Sequence, residues 1–173
     1  GLGVGVDRRA VSPVRDHLDP SRPPLPERRG HAPVERHRGV GADGVLFDLG
    51  VSSHQIDAPE RGFSHQKNGP LDSRMDTHGL SATAGDLVRA RSERELADLF
   101  YRFGEERNSR RIARALVLAR EKAPIKTTFD LAEAVRRVTP TRWQVKTLSR
   151  VFQALRLEVN DELGQLQAGL EAA

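Results

Sequence analysis

Residues 43–61 read DGVLFDLGVSSHQIDAPER, and the fold turns on how this stretch is taken. A short apolar run, Val45, Leu46 and Phe47, stops at Asp48 and gives way to Leu49, Gly50, Val51, Ser52 and Ser53. That is the profile of a buried parallel strand delivering a carboxylate and a small-residue loop at its C-terminal end. Ligands of open α/β sheets sit beyond the carboxyl ends of the strands. Asp48 and the loop after it are therefore predicted to belong to a site, with helical residues following.

Upstream, residues 1–7, GLGVGVD, read as the tail of a strand ending in Asp7. At the end of the second strand of a nucleotide-binding sheet an acid accepts hydrogen bonds from ribose hydroxyls, although an acid also closes strands of no such function. Residues 8–39 break the pattern, with six of the ten prolines, eight arginines and three of the six histidines. Neither helical nor strand periodicity survives such a density of proline, so the stretch is read as irregular. GC-rich coding DNA read out of frame yields this composition. The other frames of the encoding DNA decide between a frameshifted reading and a genuine linker.

Downstream, residues 62–76 form a loop with a turn at Gly69-Pro70 and no apolar period, a length that suits either a functional cover or a disordered connection. Helices follow. Ser92 and Glu95 fit a capping box ahead of Leu96, Leu99, Phe100 and Phe103, with Gly104 closing the helix. Residues 105–122 place Ile112, Leu116 and Ala119 on one side and Arg107, Arg111 and Arg114 on another. Pro124 stops that helix, and Thr128 is the expected cap of one carrying Leu131, Val135 and Val138 up to Pro140. From about residue 146, Leu148, Phe152, Leu155, Val159, Leu163, Leu166 and Leu170 recur at steps of three and four, predicting one helix of about 25 residues.

Composition sets outer limits. The 173 residues suit one domain, or one with a small insertion, and 37% hydrophobic residues is lean for a compact α/β protein. With no cysteine there are no disulfides or thiolate metal sites, and a reducing cytoplasm is the expected compartment. No apolar run approaches the roughly 20 residues that span a bilayer, and no signal peptide is expected. His54, His65 and His78 show no metal-ligand spacing. A net charge of +4 favours an anionic partner such as nucleic acid, although a merely basic surface explains it as well.

The blocks DLGVSSHQID, ERGFS, NGPLDSRMD, GEERNSRRIARAL and TLSRVFQALRLEVNDEL, in this order, resemble the bacterial 16S rRNA (cytosine-N4) methyltransferases of the RsmH (MraW) type. The resemblance runs from about Asp43 to Leu163. It implies a partial class I, Rossmann-like α/β methyltransferase with an inserted all-helical domain. On that reading residues 1–61 are part of the methyltransferase domain, 62–143 are the cover loop and helical insertion, and 144–173 are a truncated return helix. The family's glycine-rich first turn and its last strands are missing, so the chain is read as a fragment, expected to be inactive and to bind cofactor poorly by itself.

The implied activity is transfer of a methyl group from S-adenosylmethionine to the N4 amine of a cytidine in the decoding region of 16S rRNA. The resemblance places Asp48, Gln55 and Asp7 in the cofactor-binding set, with Asp48 the best-placed carboxylate for the reacting amine. Asp48 could also only cap the turn. Ser52 and Ser53 either hydrogen-bond the incoming base or shape the turn. Asn68, Asp72, Arg74 and Asp76 are candidates to close over cofactor or RNA, and Phe63 and Trp143 to stack on a flipped base. Arg107, Arg110, Arg111 and Arg114 form the densest basic surface, suited to phosphates unless Glu105 and Glu106 pair with them. Arg150, Arg156 and Asn160 on the last helix are assigned no role. The rival readings are a non-catalytic RNA-binding helical module and a nucleotide-dependent oxidoreductase built around Asp7, which would need a glycine fingerprint upstream.

Overall fold

Capping boxes start four of the helices. Ser52 with Gln55, Thr83 with Asp86, Ser92 with Glu95 and Thr127 with Asp130 each exchange side-chain and backbone hydrogen bonds, satisfying first-turn N–H groups. The computed structural model describes residues 46, 50–77 and 81–172. The expected strand through Asp48, the acid Asp7, His78 and the proline-rich stretch lie outside the described residues. Within them the order is α1 (Ser53–Asp57), α2 (Ala84–Ala90), α3 (Glu93–Gly104), α4 (Ser109–Lys122), α5 (Thr128–Val138), α6 (Gln144–Asn160) and α7 (Glu162–Ala172), with single 3-10 turns at Pro59–Arg61 and Thr141–Trp143.

The described residues are helical and show nothing of the expected parallel sheet. Among the described residues β pairing is limited to an isolated antiparallel bridge between Pro70 and Thr127. The core lies where α3 packs on both α4 and α6, α4 on α5, and α6 also against α2 and α5. Leu96, Phe100, Ile112, Leu116, Leu131, Val135, Leu148, Val151 and Leu155 fill it. These are the apolar positions that the helical periods of α3 to α6 select. Gly104 permits the tightest crossing, because a Cβ there would stand 2.6 Å from the Arg150 carbonyl oxygen of α6.

Three local expectations are corrected. The last leucine-rich stretch is two helices, not one: Asp161 adopts a left-handed conformation at φ 49° between α6 and α7. The stripe also loses its cover there, with Leu163 and Leu170 more than half exposed. The cap of α5 is Thr127, while Thr128 is buried and bonded to the loop before it. The helix expected from residue 105 starts at Ser109, leaving Arg107 in the turn behind Glu105, itself left-handed at φ 50°. Helix α2, only seven residues long, escaped the sequence reading altogether.

Candidate functional site

The two ends of the loop 62–76 are bonded to each other, and its far end is tied to α6, distant in sequence. At its start Gly62 has φ 69°, and a Cβ there would stand 2.8 Å from the Asp72 nitrogen, so two passes of the chain touch through glycine. Ser73, 1% exposed, donates its hydroxyl to the Gly62 carbonyl at 2.9 Å. Arg61 donates one guanidinium nitrogen to the carbonyls of Arg74 and Met75 at 3.0 and 2.9 Å. Asn160, the last residue of α6, accepts from Met75 N at 2.7 Å and donates to the Ser73 carbonyl at 2.8 Å.

The middle of the loop is held from α5 and α2. Thr128 Oγ1 accepts from Gly69 N at 3.1 Å and donates to the Lys67 carbonyl at 2.8 Å. Leu71 N donates to the Lys126 carbonyl, and the first N–H groups of α2, from Ala84 and Gly85, donate to the carbonyls of Asp72 and Leu71. Lys67 reaches back to the carbonyl and carboxylate of Asp57 at the end of α1. The stretch thus forms one docked unit with α1 and the C-terminal end of α6. Its charged residues are ordered too: Asp72 grips Arg74 at 2.7 and 2.8 Å, and this hydrogen bonding raises the Arg74 pKa further.

A cleft of about 600 Å³ opens between this loop, α2 and the link from α4 to α5, walled by Leu71, Val88 and Ile125 and edged by Asp86, Arg89 and Lys126. Burial works against charge on Asp86, but hydrogen bonds from Thr83 and the neighbouring Arg89 and Arg74 outweigh it and hold the carboxyl below its ordinary range.

The predicted site residues fall into separate groups. Asp7 and Asp48 lie outside the described residues. Ser52 is the N-cap of α1, its hydroxyl engaged with Gln55, and Ser53 opens the helix, exposed. Gln55 accepts at Oε1 from the Ser52 backbone at 3.0 Å. Its amide nitrogen has no hydrogen-bond partner among the described residues. Asn68 and Asp76 lie on the docked loop, while Phe63 lies beneath the Arg61 guanidinium at 5.8 Å and Trp143 is half-exposed.

Arg107, Arg110, Arg111 and Arg114 are all exposed and carry no ion pair among the described residues. Of the two acids that could have neutralised them, Glu105 is exposed without an ion pair among the described residues and Glu106 turns inward. It is 2% exposed, accepts from Asn108 N at 2.9 Å and lies 3.6 Å from Arg150 Nη1 of α6. Sequence reasoning left Arg150, Arg156 and Asn160 without a role. Here Arg150 faces Glu106, Arg156 pairs with Glu162 across the α6–α7 break at 2.8 Å, and Asn160 anchors the loop. Arg61 was missed, as its partners are carbonyls, which no side-chain pattern reveals. Among the described residues no three His, Cys, Asp or Glu side chains cluster as a metal site, and no helix is long and apolar enough to cross a membrane.

Residues 30–173 match the model of the MraW methylase family. The chain belongs to that family. This MraW-family chain is 58% identical over 143 residues to "Ribosomal RNA small subunit methyltransferase H" of Chlorobaculum parvum, covering 81% of the chain and 45% of that protein. It is 48% identical over 174 residues to the protein of the same name from Rhodospirillum centenum, covering 88% and 52%. A third relative so named, from Paramagnetospirillum magneticum, is 54% identical over 140 residues, covering 80% and 43%. The MraW-family chain therefore spans about half the length of these curated relatives.

Proposed function

We propose that the chain is part of an enzyme that methylates the N4 amine of a cytidine in 16S rRNA of the small ribosomal subunit, using S-adenosylmethionine. The observation that carries this reading is the family match over residues 30–173, strengthened by relatives whose name is a small-subunit rRNA methyltransferase. The substrate base, the cofactor and the Rossmann-like sheet are parts of the proposal, as is the division into a methyltransferase domain and a helical insertion.

S-adenosylmethionine, when bound, supplies an electrophilic methyl group. The residues in hand would position and polarise the amine, whose lone pair is delocalised into the cytosine ring. A carboxylate accepting one amine N–H localises that lone pair as the new bond forms, and Asp48 is our candidate for it. The spare amide nitrogen of Gln55 suits a carboxylate or ring acceptor of the cofactor, and Asp7 suits ribose hydroxyls. Arg107, Arg110, Arg111 and Arg114, exposed and without ion pairs among the described residues, suit rRNA phosphates. The docked loop, tied to α1 and α6, would form one wall of the site.

Calorimetry tests the cofactor assignment. Residues 43–173 replace the matching stretch of the Chlorobaculum parvum relative, and the chimaera is titrated with S-adenosylmethionine. Stoichiometric binding that weakens in Asp48→Ala and Gln55→Ala is the expected result. Unchanged affinity in both variants overturns the assignment of those residues.

A further inference from the structure

A second cleft, of about 350 Å³, is lined by residues 65–66 of the docked loop, by Phe129 and Arg136 of α5 and by the start of α6. Phe129 and Arg136, seven residues apart on α5, point along the same face. Phe129 remains 42% exposed and Val145 67%, while Leu148 forms a buried floor. Large apolar groups are thus left open to solvent beside a guanidinium that has no ion pair among the described residues, and no carboxylate lines the cleft.

The polar groups around it are arranged as neutral hydrogen-bonding edges. Gln144 donates its amide nitrogen to the carbonyls of Thr139 and Arg136, which leaves its Oε1 as an acceptor. Gln66 contributes an amide side chain. His65 stands edge-on to Phe152 at 5.8 Å and 3.5 Å from Ser149 Oγ, and burial together with Arg136 lowers its pKa. It therefore adds no second cation. One aromatic face, amide edges and a single cation form the surface on which an unpaired base stacks while an adjoining phosphate meets the arginine.

We infer that this cleft is a nucleotide subsite for single-stranded RNA, in which a base stacks on Phe129 against Val145 and Leu148 while a neighbouring phosphate pairs with Arg136. The inference rests on the rRNA reading proposed above and adds to it a contact whose lining includes none of the basic residues of α4.

Trp143, the only tryptophan of the chain, stands half-exposed beside Gln144 and reports on the cleft by its fluorescence. The full chain is titrated with an unstructured oligouridylate and with an abasic oligomer of the same length. The native chain is expected to bind the oligouridylate more tightly. Phe129→Ala is expected to weaken it roughly tenfold while leaving the abasic oligomer unaffected, and Phe129→Tyr to keep most of the affinity. Arg136→Gln should weaken both oligomers alike and reduce the salt slope by about 0.7. Circular dichroism of each variant verifies the fold, and the exposed Phe129→Tyr change keeps the test open if the alanine variant unfolds.

Equal affinity of the native chain for both oligomers overturns the subsite. So does a weakening by Arg111→Gln/Arg114→Gln with none by Phe129→Ala and Arg136→Gln; the rRNA reading then stands without it. Tight binding of uridine monophosphate with none of the oligomer points to a free nucleotide and also overturns it. Absence of binding to every probe removes the RNA-binding reading together with the subsite.

Discussion

Replacing Asn160 with alanine cuts the hydrogen bonds that join the end of α6 to the loop 85 and 87 residues earlier in the chain. Each such bond contributes about 1 kcal/mol net, and the truncation also strands the Met75 N–H and the buried Ser73 carbonyl. The sum is about 2–3 kcal/mol. With a typical urea dependence of about 2 kcal/mol per molar, the unfolding midpoint should fall by roughly 1 M. Native-state hydrogen exchange gives the local readout: the Met75 amide should lose protection more than the core amides of α3 and α4 do. Asn160→Asp should cost at least as much, because it sets an acceptor oxygen against the Ser73 carbonyl. A midpoint unchanged by Asn160→Ala, with Met75 exchange no faster, would refute the claim that this side chain holds the loop.

Gly104→Ala forces a Cβ toward the Arg150 carbonyl and should destabilise by about 1–3 kcal/mol in chemical denaturation. Glu106→Ala removes a buried carboxylate that caps the turn before α4 and faces Arg150, with an expected loss of about 2 kcal/mol by the same assay. Asp86, Glu95 and Asp130 gain from cap hydrogen bonds that outweigh their burial, so each has a lowered folded-state pKa. The stability they contribute is present above their unfolded values, about 4, and is lost as pH falls through the lower folded values, so the urea midpoint should drop on acidification below about pH 4. In Ser92→Ala the cap of α3 is lost, at about 1 kcal/mol, and part of that acid dependence should go with it.

How much of this was visible beforehand follows from the range of each interaction. The box at Ser92 and Glu95 spans four residues, and the core positions of α3 to α6 repeat every turn, so both are written locally. The break at Asp161 was not, since Leu163, Leu166 and Leu170 continue the helical spacing whether or not anything covers them. An aspartate can adopt the left-handed conformation that ends α6, but composition does not say where it will. Thr127 and Thr128 are adjacent and equally able to cap, and the choice is made by the loop, which takes Thr128 for itself. In the candidate site, the exposure of the four arginines was legible from their polarity. The inward turn of Glu106 and the anchoring by Asn160 depend on partners distant in sequence, and Phe129 with Arg136 became a cleft only once α6 packed beside α5.

The central claim is a chemical one, and its product can be weighed. Small subunits from a strain lacking the modification are incubated with S-adenosylmethionine and the chimaera carrying residues 43–173, and the 16S rRNA is digested to nucleosides for mass spectrometry. N4-methylcytidine is expected at one position and is expected to be lost in Asp48→Ala. Methyl groups appearing on another atom, or full activity with Asp48 replaced, would contradict that claim.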